Sequence, residues 1–248
     1  CLRNLKYKER KMYFGLSEEQ QSLQDNIKKY LEDNASLDTI KEVAGGDSAK
    51  AENIHKGLIE LGISGLMVPE QYGGLELDML FASVVSGALG SGTAPVPFAG
   101  AYVMAPIALS LGGSESQKET WLPKIAGGEA IIGIGISEYV GAREDAAITF
   151  SDNTISGRCL FVIDAKNADA YILANKAGEL YLIDAKDKGI SVTKLVTVDK
   201  TRPSIELNLD KVAAELLPGS EKNQEVINKV LDAGRLMLSA DSVGAAQI

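Results

Sequence analysis

The stretch that decides the fold covers residues 113–138 and reads GSESQKETWLPKIAGGEAIIGIGISE. Ser114 and Gln117 have the spacing of a capping box, so a helix is predicted to begin there and to end at Pro123. A Gly-Gly turn follows, and then isoleucines alternate with glycines, a composition typical of a β-strand. This stretch therefore divides the chain into a helical part and a part rich in strands.

The strand predicted over residues 131–136 allows two interpretations. Its isoleucines supply β-branched bulk, and the glycines between them could let a flat ligand approach the backbone closely. Isolated glycines in strands more often serve close packing, and the strand would then be an ordinary part of the core. The sequence alone leaves both interpretations open.

The helical period of apolar residues recurs through the first half of the chain, interrupted by a turn-rich segment at 61–74 that contains four glycines and Pro69. Ser17 with Gln20 and, further on, Asp78 are suited to cap helices. A helix bundle is therefore predicted, with helices over 17–31, 37–43, 48–61, 78–89 and 97–111.

The second half changes character, because short β-favouring runs alternate with polar turns and indicate a small sandwich or barrel. These runs cover 154–156, 159–163, 170–173, 180–183, 190–198 and 204–209.

From Glu221 the helical period returns, with small residues such as Gly234 and Gly244 suited to close helix packing. No stop signal precedes Ile248, so the helix is predicted to run on there and a further helical region is expected to follow. We therefore predict an α+β multidomain fold: an N-terminal α-helical bundle (12–130), a β-barrel or sandwich domain (131–220) and the start of a C-terminal helical bundle (221–248).

Composition limits the function classes. The formal net charge of −9 argues against a nucleic-acid surface. Cys1, Cys159 and the single histidine, His55, form no metal-ligand pattern, so no metal site is expected and His55 is interpreted as structural. No apolar run is long enough to span a membrane, and we expect a soluble, cytoplasmic protein. The basic residues 1–11 are interpreted as a lead segment upstream of Met12.

Short catalytic motifs are absent: the sequence contains no GxGxxG, Walker loop, HExxH or GxSxG. Carboxylate pairs such as Glu18-Glu19 and Glu144-Asp145 are most simply solvated charges, because neither pair lies in an apolar setting. Function therefore has to be inferred from longer segments.

Three longer segments, in their order along the chain, resemble the acyl-CoA dehydrogenase family. They are LGISGLMVPEQYGGLELD at 61–78, GGSESQKETWLPKIAGGEAIIGIGISE at 112–138 and DKTRPSIELNLDKVAAELLPG at 199–219. The resemblance extends over nearly all of 12–248. It implies the family's fold, FAD as cofactor and an acyl-CoA thioester as substrate, dehydrogenated at its α and β carbons. The family's catalytic glutamate would lie beyond Ile248, so no base is assigned.

The resemblance also implies where the flavin would be contacted. The family's strand ending in Thr-Glu corresponds to Ile136, Ser137 and Glu138, so Ser137 keeps the hydroxyl. The family's Pro-Gly-x-Gly-Ser-Asp loop is replaced by residues 139–144. Arg143 stands at the position of the serine and could serve an anionic phosphate, although the tight glycine turn is lost.

The family's Trp-Ile-Thr strand, which packs on the flavin, corresponds to Phe161, Val162 and Ile163. Phe161 can still present an aromatic face, whereas Ile163 cannot supply the threonine hydroxyl. The implied cofactor-binding residues are therefore Ile136, Ser137, Arg143, Phe161, Val162 and Ile163.

Three functions are compatible with these features. The first is a flavin-dependent acyl-CoA dehydrogenase that passes electrons to an electron-transfer flavoprotein or a similar acceptor. The second is a non-catalytic partner subunit in a hetero-oligomer, suggested by Ile163 and the altered loop. The third is a flavin oxidase or monooxygenase on the same fold. A homo- or hetero-oligomer is expected. These 248 residues alone are expected to bind flavin weakly or not at all, and to expose an apolar face.

Overall fold

The computed structural model describes residues 15–143 and 145–247. The basic lead at 1–11, the predicted start at Met12, Glu144 and Ile248 lie outside the described residues. Seven α-helices are found in the described part, together with single 3₁₀ turns at Glu70–Tyr72 and Pro218–Ser220. The helices are α1 (Glu18–Asn34), α2 (Leu37–Ala44), α3 (Ser48–Glu60), α4 (Met79–Ser91), α5 (Ala105–Gly112), α6 (Glu115–Ala126) and α7 (Gln224–Ala245).

The predicted helix starts are confirmed at three caps. Ser17 and Ser114 each form a complete capping box with the glutamine three residues later, and Asp78 accepts from the amides of Leu80 and Phe81. These side chains satisfy amide donors that the first helical turn leaves without partners. Local sequence therefore determines where α1, α4 and α6 begin.

The prediction that Pro123 ends the sixth helix is wrong, because α6 continues through it to Ala126. Leu122 and Ile125 on the two sides of the proline are both completely buried. Burial of each large aliphatic side chain contributes roughly 2 kcal/mol, and together they outweigh the hydrogen bond that proline removes.

The helix predicted over 97–111 divides into a π-helix, Ala99–Met104, followed by α5. Pro106 lies at the start of α5 and has no amide hydrogen to donate to the Tyr102 carbonyl four residues earlier. A wider turn before the proline accommodates this loss.

The prediction that the last helix runs on at Ile248 is also wrong, since α7 ends at Ala245. The last turn is closed by the amides of Ala246 and Gln247, which donate to the carbonyls of Ser242 and Gly244.

The strands are β1 (Ile132–Gly135), β2 (Ile148–Ser151), β3 (Thr154–Val162), β4 (Ala170–Ala174), β5 (Leu180–Asp184), β6 (Ile190–Lys194) and β7 (Ile205–Leu216). They form a curled seven-stranded sheet in the order β1-β4-β5-β7-β3-β2, with β6 paired to β7. An isolated antiparallel bridge between Ile134 and Ile163 joins β1 back to β3, so five strands close into a ring. The predicted barrel-like β-domain is thus confirmed.

The predicted strand over 190–198 is too long, because pairing stops at Lys194, opposite Ile205, the first residue of β7. Val196 and Val198 lie beyond this end, are not paired with another strand and are fully exposed. In the other direction β7 extends to Leu216, well past the predicted end, because its second half pairs with β5. Long-range pairing, which local composition does not encode, sets both ends.

Two hydrophobic cores hold the molecule together. The first unites the helices with one face of β1, β4 and β5 and with the buried side of α7. The second fills the interior of the curled sheet and includes Ile155, Cys159, Leu173 and Leu207.

Candidate functional site

The bridge between β1 and β3 brings five of the six implied cofactor residues together. Ile134 and Ile163 exchange both backbone hydrogen bonds, at 3.1 and 3.0 Å. Beyond this bridge the Leu160 amide donates to Ser137 Oγ at 2.9 Å, so the end of β1 stays beside the last residues of β3.

Phe161 lies at a bulge of β3. The pairing with β7 shifts between Cys159 and Val162, and Phe161 has a left-handed backbone conformation with φ of 52°. Bulges redirect side chains and are common beside active sites. The ring of Phe161 is 50% exposed, whereas its neighbour Val162 is completely buried. The bulge therefore presents an aromatic surface that a regular strand would not present.

The hydroxyl of Ser137 is turned into the protein. Ser137 is 4% exposed, and its Oγ lies 3.6 Å from Cys159 Sγ in addition to accepting from the Leu160 amide. Burial raises the pKa of the Cys159 thiol to about 11, so the sulfur stays protonated near neutral pH. Ser137 thus fixes the end of β1 against β3.

Ile163 lines a cavity of about 190 Å³ between the sheet, the π-helix and α7. Most of the lining is apolar, but one side carries an ion-pair cluster in which Arg202 binds Asp241 through two nitrogens, at 2.9 and 3.0 Å. Asp199 also accepts from Arg202, at 3.2 Å. The apolar lining comprises Leu89, Ala94, Val96, Phe98, Ala99, Ile163, Met237 and Leu238.

Arg143 lies outside this group of five and is paired with a carboxylate. Its Nε and Nη2 donate to the two oxygens of Asp145 at 2.8 and 2.7 Å. Asp145 also accepts from Arg158 Nη1 at 2.6 Å, and the Arg158 side chain binds Glu206 through two further nitrogens. The interpretation of Asp145 as a merely solvated charge is therefore wrong, and Glu144 lies outside the described residues.

The glycines of β1 serve packing. A β-carbon on Gly135 would lie 2.5 Å from Cys159 Sγ, and one on Gly133 would lie 2.8 Å from the Tyr171 ring. Neighbouring strands fill this space, so a ligand does not approach the backbone there. The packing interpretation of the strand is confirmed.

Asp164, two residues after the end of β3, was not singled out from the sequence. Its Oδ2 accepts from the amides of Phe98, Gly100 and Ala101 at 2.7 to 3.1 Å, and so caps the π-helix from across the fold. Burial raises the pKa of Asp164, while the three amide donors oppose that shift. Only its position after an apolar strand could have drawn attention to this aspartate.

His55 is structural, as predicted. Its Nε2 lies 2.8 Å from the hydroxyl of Tyr102, a completely buried residue, and the two rings stack. Burial lowers the pKa of His55 from 6.5 to about 4.

We expect this histidine to make the fold sensitive to acid. In the unfolded chain His55 is protonated below about pH 6.5, whereas in the folded chain it is protonated only below about pH 4. The free energy of unfolding should therefore fall as the pH drops through this window, by up to about 3 kcal/mol from this residue. Urea unfolding of the wild type and His55→Gln at several pH values checks this. Equal pH dependence of the two proteins would contradict it.

Among the residues described, no helix combines the length and apolarity needed to cross a membrane. The same residues contain no group of three or more His, Cys, Asp or Glu side chains placed to hold a metal ion.

Comparison with known proteins agrees with this architecture. Residues 17–129 match the family model described as acyl-CoA dehydrogenase, N-terminal domain. A probable acyl-CoA dehydrogenase of Bacillus subtilis (strain 168) is 27% identical to the chain, over 95% of the chain and 67% of the relative.

Two solved structures share the fold. The glutaryl-coenzyme A dehydrogenase glutaryl-CoA complex has a TM-score of 0.80 at 24% identity, covering 95% of this chain and 65% of the other. The acyl-CoA dehydrogenase complexed with FAD from Bacillus anthracis also has a TM-score of 0.80, at 19% identity, covering 93% of this chain and 42% of the other. The chain thus spans about two thirds or less of these proteins. Residues 17–129 therefore carry the acyl-CoA dehydrogenase N-terminal domain, and the chain as a whole is similar in sequence and in fold to acyl-CoA dehydrogenases.

Proposed function

We propose that this chain is part of a flavin-dependent acyl-CoA dehydrogenase that introduces an α,β double bond into an acyl-CoA thioester. The observation that carries the proposal is the junction of β1 and β3. There the end of β1 meets a bulge of β3 that presents Phe161, half-exposed.

The residues at this junction fit a flavin. Phe161 offers an aromatic face for stacking, and Ile136 is only partly buried beside it. Val162 and Ser137 are buried and hold the two strands in register, which makes them supports of this surface. FAD, with which the Bacillus anthracis dehydrogenase is complexed, would supply the acceptor for the hydride from the β-carbon. We propose that Arg143 contributes to binding its phosphates.

The cavity beside Ile163 is our candidate for the acyl group. Its apolar lining suits a hydrocarbon chain, and Arg202 is already neutralised by Asp199 and Asp241. A free carboxylate at the end of the acyl group would meet surplus negative charge there. We therefore propose an uncharged acyl group rather than a dicarboxylic one.

We place the catalytic base outside these 248 residues and assign electron transfer to an electron-transfer flavoprotein or a similar acceptor. We propose the domain division 12–130, 131–220 and 221–248, and a homo- or hetero-oligomeric, cytoplasmic protein.

The test uses the complete protein reconstituted with FAD. Anaerobic addition of straight-chain, branched and dicarboxylic acyl-CoA thioesters should bleach the flavin absorbance with at least one uncharged acyl group. A protein that retains no flavin, or a flavin that no thioester reduces, would refute the proposal. Oxygen consumption without another acceptor would instead indicate the oxidase or monooxygenase.

A non-catalytic partner subunit remains the second candidate. It is favoured by Ile163, which has no hydroxyl, and by the internal hydrogen bonding of Ser137. Co-purification with a second, active dehydrogenase would support it, and activity of the complete protein alone would exclude it.

A further inference from the structure

Four side chains of alternating charge form a row that runs from the segment before β2, across the middle of β3, to the start of β7. Arg143 binds Asp145, Asp145 binds Arg158, and Arg158 binds Glu206, with nitrogen-oxygen distances of 2.6 to 2.8 Å. Two positive and two negative charges make the row neutral. The guanidinium of Arg143, at the outer end, is therefore fully compensated.

The inner and outer pairs differ in exposure. The Glu206 side chain is 9% exposed and Arg158 is 32% exposed, whereas Asp145 and Arg143 are 48 and 52% exposed. Exposed ion pairs contribute little to stability and exchange readily, while a buried pair is costly to break. The Arg158–Glu206 pair is thus the fixed part of the row, and the Arg143–Asp145 pair is the exchangeable part.

We propose that Asp145 sets the affinity of this site for the pyrophosphate of a dinucleotide by competing with it for Arg143. This inference rests on the proposed flavin function. A phosphate binds arginine best through two parallel hydrogen bonds, the same geometry that Asp145 now has with Nε and Nη2 of Arg143. The incoming anion must therefore take the place of Asp145.

The row contains an alternative partner for the displaced carboxylate. Asp145 already accepts from Arg158 Nη1, so it keeps a guanidinium when it leaves Arg143. The exchange leaves no charge unpaired, but the negative charge of Asp145 stays close to the phosphate and weakens its binding. Asp145 thereby lowers the preference of the site for phosphate-bearing flavins over riboflavin.

The decisive variant is Asp145→Asn, which removes one negative charge and leaves the row with a net charge of +1. Asp152→Asn is the matched control, because Asp152 is exposed in the β2–β3 turn, where asparagine tolerates its φ of 50°. Inorganic pyrophosphate is titrated into each full 248-residue chain while the NMR signal of the Arg143 Nε–H is followed. FAD and riboflavin are then titrated, with fluorescence detection, into the complete protein carrying the same substitutions.

We expect Asp145→Asn to bind pyrophosphate about tenfold more tightly than the wild type, equivalent to about 1.4 kcal/mol, and Asp152→Asn to match the wild type. FAD binding should tighten similarly and riboflavin binding should not change. Equal pyrophosphate affinity in the wild type and Asp145→Asn, or no response of Arg143 in either, would overturn the inference. If Asp145→Asn left the affinity for FAD unchanged, the inference about Asp145 would be overturned and the proposed function would not be affected. Pyrophosphate binding without flavin binding would count against the proposed function alone.

Discussion

Gly90→Ala is expected to lower the free energy of unfolding by about 3 kcal/mol or more. A β-carbon at Gly90 would lie 2.1 Å from the carbonyl oxygen of Asp241 and 2.8 Å from its carbonyl carbon. Both atoms belong to the backbone of α7, which cannot move aside without separating the two helices. The packing of α4 on α7 in turn supports one side of the cavity beside Ile163.

Gly87→Ala is the matched control, one turn earlier in α4. Its β-carbon would meet only the Ala240 carbonyl oxygen, at an ordinary 3.6 Å. Alanine is favoured over glycine inside a helix by about 1 kcal/mol, so this variant should be as stable as the wild type or more stable. Urea unfolding of the three proteins measures the difference. Similar stabilities for the two variants would show that α4 and α7 are further apart than described.

Asp164→Ala is expected to cost about 3 kcal/mol of folding free energy. The substitution leaves the amides of Phe98, Gly100 and Ala101 without their acceptor, in a region where water reaches poorly. It also places alanine at a φ of 51°, which an aspartate or asparagine tolerates better. The segment that follows β3, beside Ile163, would then lose its hydrogen bonds to the start of the π-helix.

Asp164→Asn removes the negative charge of Asp164 but keeps an acceptor oxygen and a residue type that tolerates the positive φ. The amide oxygen can still accept from the π-helix and the backbone conformation is tolerated, so the loss should be less than half that of Asp164→Ala. Thermal and urea unfolding of both variants provide the comparison. Equal stability of Asp164→Ala and the wild type would contradict the stabilising role of the hydrogen bonds from the three amides to Asp164.

Local sequence predicted the features that depend on neighbouring residues. The capping boxes at Ser17 and Ser114 and the cap at Asp78 place helix starts correctly, because the hydrogen bonds involved span only two or three residues. The small residues of α7 likewise predict a close approach to its neighbours, and a β-carbon at Gly244 would indeed meet the Gly87 backbone at 2.0 Å.

Features that depend on distant residues could not be predicted in this way. The passage of α6 through Pro123 follows from the burial of Leu122 and Ile125, and the end of β6 follows from where β7 begins. The family resemblance suggested Arg143 as a phosphate contact, and that suggestion stays a proposal; the pairing of Arg143 with Asp145 was not predicted. The Arg158–Glu206 pair joins residues 48 positions apart, which spacing along the chain does not reveal.

Flavin binding by Phe161→Ala is the direct test of a flavin site at this junction. FAD is titrated into the complete protein as wild type, Phe161→Ala and the control Leu37→Ala, which truncates an exposed leucine of α2 in the helical part of the chain. We predict that the wild type quenches flavin fluorescence. Loss of the aromatic contact should weaken binding by about tenfold, and Leu37→Ala should have no effect. Identical affinities for all three proteins, or no binding by the wild type at any concentration, would contradict a flavin site at the junction of β1 and β3.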